Sequence, residues 1–238
     1  MLKPFLLLLS TVLACPLANA QIFQRELGDY DLKLGTTPSR SMAQGLVKPS
    51  STGSFHGGLD LTHDSGFYVG QWAPSMGLSP GKNLEVDSYA GYKQPFDQTL
   101  GYEVGMIHYS YPKVDTLDSQ ELFGGLTLLG SRFGAAFSND PDKRNRTLFA
   151  DLGGNQPFGI GISMKYTTHQ LYTPVSVEGG YVDSFTDWSV QLSRPFMGID
   201  LDLIYSDSNL SGSNCSAYSG HNGQCDGLVT LKAEHAFY

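Results

Sequence analysis

The sequence predicts an all-β protein: a single antiparallel up-and-down transmembrane β-barrel of about twelve strands behind a cleaved signal peptide. Three observations predict this. Apolar and polar residues alternate with a period of two along most of the chain, which places successive side chains on opposite faces of a sheet. The links between the alternating segments are short and long by turns, as in barrels with tight turns at one end and loops at the other. After the N-terminal leader, no apolar run reaches the roughly 20 residues that a membrane helix requires.

The leader is Met1 to Ala20. Lys3, the apolar run from Phe5 to Leu13 and the Ala18-Asn19-Ala20 cleavage motif make residues 1–20 a signal peptide. Residues 21–238 are then one barrel domain. Cleavage removes Cys15 and leaves Cys215 and Cys225, close enough in an exported chain to suggest a disulfide across one loop.

Strands follow in order. Tyr30, Leu32 and Leu34 oppose Asp31 and Lys33. Phe55, Leu59 and Leu61 oppose His56 and Asp60, and His63-Asp64-Ser65-Gly66 has turn residues. Phe67 to Trp72 is apolar on both faces, so its phase stays open. Val86, Ala90 and Tyr92 oppose Glu85 and Asp87; Tyr102, Val104 and Met106 oppose Glu103. Leu122, Leu126 and Leu128 oppose Glu121 and Thr127, and Phe133, Ala135 and Phe137 oppose Arg132.

A charged loop is expected from Asn139 to Arg146. Leu148 and Ala150 then oppose Asp151, and Ile160, Ile162 and Met164 oppose Ser163 and Lys165. A long loop is expected from Thr168 to Thr186. Trp188, Val190 and Leu192 begin a hairpin completed by Ile199, Leu201, Leu203 and Tyr205, with Asp200 and Asp202 on the opposite face. Val229 and Leu231 oppose Lys232 and Glu234 in the last strand. Pro95-Phe96, Pro157-Phe158 and Pro195-Phe196 recur in short links, where proline breaks no ladder bond and phenylalanine suits an aromatic girdle.

Only a closed sheet pairs all its backbone groups in lipid. The apolar faces would then meet lipid, and the polar faces would line the interior. The lining candidates are Asp31, Asp60, Glu85, Asp87, Glu103, Asp151, Asp200, Asp202 and Glu234, against the bases Lys33, Arg132, Lys165 and Lys232. The polar faces of a one-sided soluble sheet would carry the same residues.

Gly53 to Trp72 (GSFHGGLDLTHDSGFYVGQW), Glu85 to Tyr92 (EVDSYAGY), Tyr102 to Pro112 (YEVGMIHYSYP) and Asp207 to Gly212 (DSNLSG) with Cys215 resemble the TorF porin family of the Gram-negative outer membrane. Arg40 to Gln44 resembles a degraded form of that family's Arg-Gly-Ile-Ser-Gln segment, with Ser41 in place of the glycine. The resemblance spans most of residues 21–238. It implies an outer-membrane barrel, passive transport and no particular solute. His235 to Tyr238 gives the aromatic end expected to engage the barrel-assembly machinery.

The remaining patterns exclude more than they include. G-x-S-x-G, H-E-x-x-H and the P-loop are absent, and the six histidines lack metal-ligand spacing. His63-Asp64-Ser65 has the residue types of a triad, but three neighbours in a turn do not converge as a triad does. No enzyme activity, metal or other cofactor is expected, although a serine–histidine site built across strands would leave no sequence mark. The net charge of −8, with no basic face, argues against nucleic acid. The expected partners are outer-membrane lipid, lipopolysaccharide facing Lys143-Arg144-Asn145-Arg146, and small ions or polar solutes. The expectation is a narrow, cation-preferring channel, because rings of acid favour cations. The alternative is a plugged barrel with a structural, adhesive or loop-binding role.

Overall fold

The computed structural model describes residues 23–35, 57–76, 84–112, 118–153, 159–177, 180–210 and 227–235. The strands are β1 (Phe23–Leu27), β2 (Tyr30–Gly35), β3 (Gly57–His63), β4 (Phe67–Met76), β5 (Leu84–Pro95), β6 (Leu100–Ser110) and β7 (Ser119–Leu128). They continue with β8 (Ser131–Asn139), β9 (Lys143–Asp151), β10 (Gly161–Val177), β11 (Gly180–Phe196), β12 (Ile199–Ser208) and β13 (Leu228–His235). All lie in one 13-stranded sheet in chain order. The described residues contain no α-helix.

Each strand pairs antiparallel with the next, so the odd number makes β1 and β13 run in the same direction. No pairing joins those two edges among the described residues. The sheet nevertheless covers one of its own faces: Ile107 and Asp87 on that face are 0% exposed. Ile107 is packed there in one cluster with Tyr68, Tyr89, Phe123, Ala136 and Phe149.

Thirteen strands replace the expected twelve because β1 was not recognised. Its sequence, FQREL, puts Arg25 between Phe23 and Leu27 on one face and so hides the alternation. Pairing with β2, from Phe23↔Leu34 to Leu27↔Tyr30, holds it in the sheet.

The links sort less cleanly than expected. One end, the turn end, carries links 28–29, 64–66, 96–99, 129–130, 152–160 and 197–198; the loop end carries 36–56, 77–83, 111–118, 140–142, 178–179 and 209–227. Two expected loops are largely strand. Lys143 to Arg146 opens β9, and most of Thr168 to Thr186 belongs to the β10–β11 hairpin, paired as far as Val177↔Gly180. Lys143 to Arg146 is polar on both faces, and in β10–β11 the apolar Leu171, Val175, Val182 and Phe185 are sparse and interrupted by a register shift between Gln170 and Val175, so the period-two signal fades while the backbone ladder continues. At about 3.3 Å per residue, the 17 residues of β10 reach roughly 55 Å along the strand.

Pro195-Phe196, expected in a short link, is instead the paired end of β11, and the tight turns are Leu129-Gly130 and Met197-Gly198. Leu129 and Gly130 have φ of 52° and 82°, and Met197 and Gly198 have 52° and 78°. Positive φ at both central positions is the type I′ geometry, whose twist matches that of the flanking strands. At the same end, backbone bonds from Asp64 N to Asp29 O and from Leu129 N to Thr99 O tie neighbouring turns together, at 2.9 and 2.8 Å.

Candidate functional site

The covered face is built from aromatic residues laid across glycines. Five directly opposed cross-strand pairs share the arrangement: Gly58↔Trp72, Gly70↔Tyr89, Gly91↔Tyr68, Gly105↔Phe123 and Gly134↔Phe149. A Cβ on any of these glycines would overlap the facing ring. The missing side chain lets each large ring lie flat over the neighbouring strand. Tyr68, Trp72, Tyr89, Ile107, Phe123, Ala136 and Phe149 form one buried cluster in this way. The open phase of Phe67 to Trp72 is thereby resolved: Tyr68 and Trp72 point inward, while Phe67 and Val69 are exposed on the other face.

Lying over glycine also sets the tyrosine hydroxyls against carboxylates one strand further on. Tyr89 passes over Gly70 of β4 and donates to Asp60 of β3 at 2.8 Å. Tyr68 passes over Gly91 of β5 and donates to Glu103 of β6 at 2.5 Å. Nearer the loop end, Tyr109 donates to Glu121 at 2.6 Å and Tyr111 to Glu85 at 2.9 Å. Burial pushes the pKa of the Tyr111 hydroxyl up, and the Glu85 carboxylate beside it adds to the rise. Each phenol meets part of a carboxylate's demand for donors, which would otherwise make burial costly.

The other proposed lining residues are placed as follows. Asp31 is half-buried, and Lys33 pairs with Asp60 through the backbone, its side chain lying outside the described residues. Arg132 and Asp151, directly opposed on β8 and β9, form an ion pair. Lys165 is half-buried and acts electrostatically on Glu121. Asp202 is buried opposite Lys232 on β13. Asp200 is exposed beside the Met197–Gly198 turn and pairs through the backbone with Glu234, whose side chain lies outside the described residues. Cys215, Cys225, Phe158, the leader and residues 236–238 also lie outside them.

Sequence reasoning missed the second polar group on this face. His169 is buried and stacked on Phe185, with ring centroids 4.4 Å apart. Its Nδ1 lies 2.6 Å from Asn145 Oδ1, and its Nε2 lies 3.1 Å from Asp187 Oδ2. The Asn145 amide donates to Ser138 and Asp140 at 2.7 and 2.6 Å, which turns its oxygen toward the ring. Assigning residues 168–186 to a loop hid His169. The usable signal was Thr167, His169 and Leu171 at the alternating positions that continue from Lys165.

The His63 turn is a local device. Ser65 bonds His63 Nδ1 through both its backbone N–H and its hydroxyl, at 3.1 and 2.7 Å. The N–H groups of Asp64 and Gly66 are taken by Asp29 O and His63 O. The turn therefore has no spare N–H at these three residues to stabilise an oxyanion. No group of three or more His, Cys, Asp or Glu able to hold a metal ion occurs among the described residues.

The outer face carries its own pattern. Leu34, Leu59, Phe67, Val69, Val104, Met106, Leu122, Leu126, Phe133, Phe137, Leu148, Met164, Leu192, Leu203, Val229 and Leu231 are all exposed. Toward the loop end a registered polar row crosses the belt they form, Gln71↔Ser88↔His108↔Gln120. Arg144↔Gln170↔Ser184 carries a similar row across β9 to β11.

Fold and faces together define a class: an all-β chain with one meandering antiparallel sheet, an aromatic–carboxylate inner face and an apolar outer belt. The chain belongs to the Gcw_chp family, described as bacterial proteins of unknown function, whose family pattern matches residues 42–235. No curated protein matches it.

Proposed function

We propose that this chain is an integral outer-membrane β-barrel whose edges join, and that it belongs with the TorF porins it resembles. The outer belt with its registered polar row carries this reading. A soluble one-layer sheet would leave some sixteen large apolar side chains in water, far more than the scattered surface apolar residues of monomers. In a bilayer they contact lipid. Strands of 9 to 12 residues from β4 to β9 suit the roughly 9–11 needed to cross. On β7 the apolar stretch from Leu122 to Leu128 measures about 20 Å at about 3.4 Å per residue, which suits a thin outer-membrane core.

The interior is filled rather than wide. Trp72, Phe185, Ile107, Glu103, Asp87 and Asp187 are fully buried on the inner face, which supports a side-chain-packed barrel over an open solute pore. The transport role compatible with this packing is slow, cation-preferring passage of small ions past the carboxylates. A second reading, a plugged barrel with a structural or binding role, draws on the same packing. Arg144 and Arg146 point outward near the polar row, a level suited to lipopolysaccharide phosphates.

Planar-bilayer recording of the refolded chain tests the proposal. Small cation-selective conductance supports passage. Heat-modifiable folding in lipid without conductance supports the plugged barrel. A chain that stays monomeric in water without detergent refutes both.

A further inference from the structure

Among the carboxylates of the inner face, Asp87 is the exception. Glu103, Asp60, Glu121 and Glu85 each accept a tyrosine hydroxyl. Asp87 is 0% exposed, yet no hydrogen bond from a described residue reaches either of its oxygens. Its cross-strand neighbours are Trp72 on β4 and Tyr109 on β6. Neither answers it: the Tyr109 hydroxyl is directed to Glu121, and no bond from Trp72 to Asp87 is formed. Glu85, two residues away on the same face, adds negative charge. The base on this side of the interior, Lys165, acts on Glu121. A bare, buried carboxylate beside a second acid is costly unless a proton or a cation neutralises it.

We propose that Asp87, with Glu85 beside it, binds a single monovalent alkali cation on the enclosed face of the sheet. Among the described residues the carboxylates are not gathered into a group of three or more that suits a divalent ion, which takes about six to eight oxygens in the case of calcium. Burial and the adjacent Glu85 favour a neutral Asp87, and one alkali ion in place of the proton supplies that neutrality. The phenol oxygens of Tyr109 and Tyr111, already in the carboxylate network, are the nearby neutral oxygen ligands. The site deepens the cation-preference reading by giving it a binding step, and it is testable without conductance.

Trp72 faces Asp87 and serves as the reporter. Trp188, on the outer face, is removed by Trp188→Phe. The full-length refolded protein is titrated with potassium chloride replacing N-methylglucamine chloride at constant ionic strength. The expected result is a saturable change in Trp72 emission that Asp87→Asn abolishes and Glu85→Gln shifts to several-fold higher potassium. An equal response in Asp87→Asn, or no saturable response in the parent, overturns the site. A response to calcium but not potassium also overturns it. If Asp87→Asn does not fold, sodium-NMR line broadening by the parent protein decides: broadening that potassium competes away supports the site, and its absence overturns it. Conductance measured separately keeps the two ideas apart. A protein that conducts without the potassium response loses the site alone. One that responds without conducting loses the channel alone.

Discussion

Gly70→Ala tests whether aromatic rings laid over glycine hold the inner face together. The three atoms nearest an added Cβ all belong to the Tyr89 phenol. That ring is 3% exposed, and its hydroxyl bonds Asp60 at 2.8 Å. The methyl must displace the ring within a packed layer, an overpacking cost of about 1–3 kcal/mol. Displacement also removes a hydrogen bond to a carboxylate, worth about 1.5–3 kcal/mol. The expected loss is therefore about 2.5–6 kcal/mol. Gly124→Ala is the control, because its nearest contact would be an ordinary 3.5 Å to Val104 Cγ1; its effect should stay within about 0.5 kcal/mol. Urea unfolding of the refolded protein in lipid vesicles, followed by tryptophan emission, gives both values. In a Tyr89→Ala background the methyl at 70 enters vacated space, and its cost should fall below about 1 kcal/mol. Equal losses for Gly70→Ala and Gly124→Ala, or an undiminished loss without Tyr89, would refute the reasoning.

Three further predictions follow from other parts of the sheet. Leu126→Arg, in the outer belt, should cost about 2–4 kcal/mol in vesicle unfolding, whereas Gln120→Arg in the polar row should cost about 0–1 kcal/mol. Asp97 accepts the Thr99 N–H, the Thr99 hydroxyl and the Leu100 N–H at 2.6, 2.8 and 2.8 Å, and the Thr99 N–H leads in holding its carboxyl below the usual value. A folded pKa below the unfolded one means that its contribution is present above the ordinary carboxylate range and is lost as pH falls through the lowered value. Carbon-13 NMR titration should place Asp97 below a free aspartate; an unshifted midpoint contradicts the turn geometry. Leu129→Asn creates the Asn-Gly pair that type I′ turns favour, and removing a leucine from φ of 52° should stabilise the protein by about 1 kcal/mol in the same unfolding assay.

Much of the sheet was legible because one face is apolar. The strands near Tyr92, Val104, Leu126 and Leu203 alternate so clearly that their inward acids follow from parity alone. Legibility failed where both faces carry the same kind of residue. Phe67 to Trp72 is apolar on both sides, and its phase depends on Gly58 and Gly91 of the neighbouring strands and on Gly70 within it. In residues 168–186 the inward Leu171 and Phe185 are separated by polar residues and a register shift between Gln170 and Val175, so a hydrophobic period does not reveal the continued pairing. The 28 glycines and 26 Tyr plus Phe counted from composition are, in part, one feature seen twice: five pairs in which a missing side chain on one strand admits a ring from the next. That correspondence is cross-strand, and a single sequence without register does not display it.

Thirteen strands among the described residues place the start of β1 and the end of β13 at opposite ends of the sheet. Phe23 begins β1 at the loop end, and His235 finishes β13 at the turn end. Barrels with an even number of strands return both ends to one side of the membrane, so neither has to cross. On the proposed outer-membrane reading, with loops facing the medium, Phe23 would lie toward the cell surface and His235 toward the periplasm. Insertion would then have to carry a free end across the bilayer as well as hairpins, and the Arg25 and Glu26 charges of β1 would travel with it.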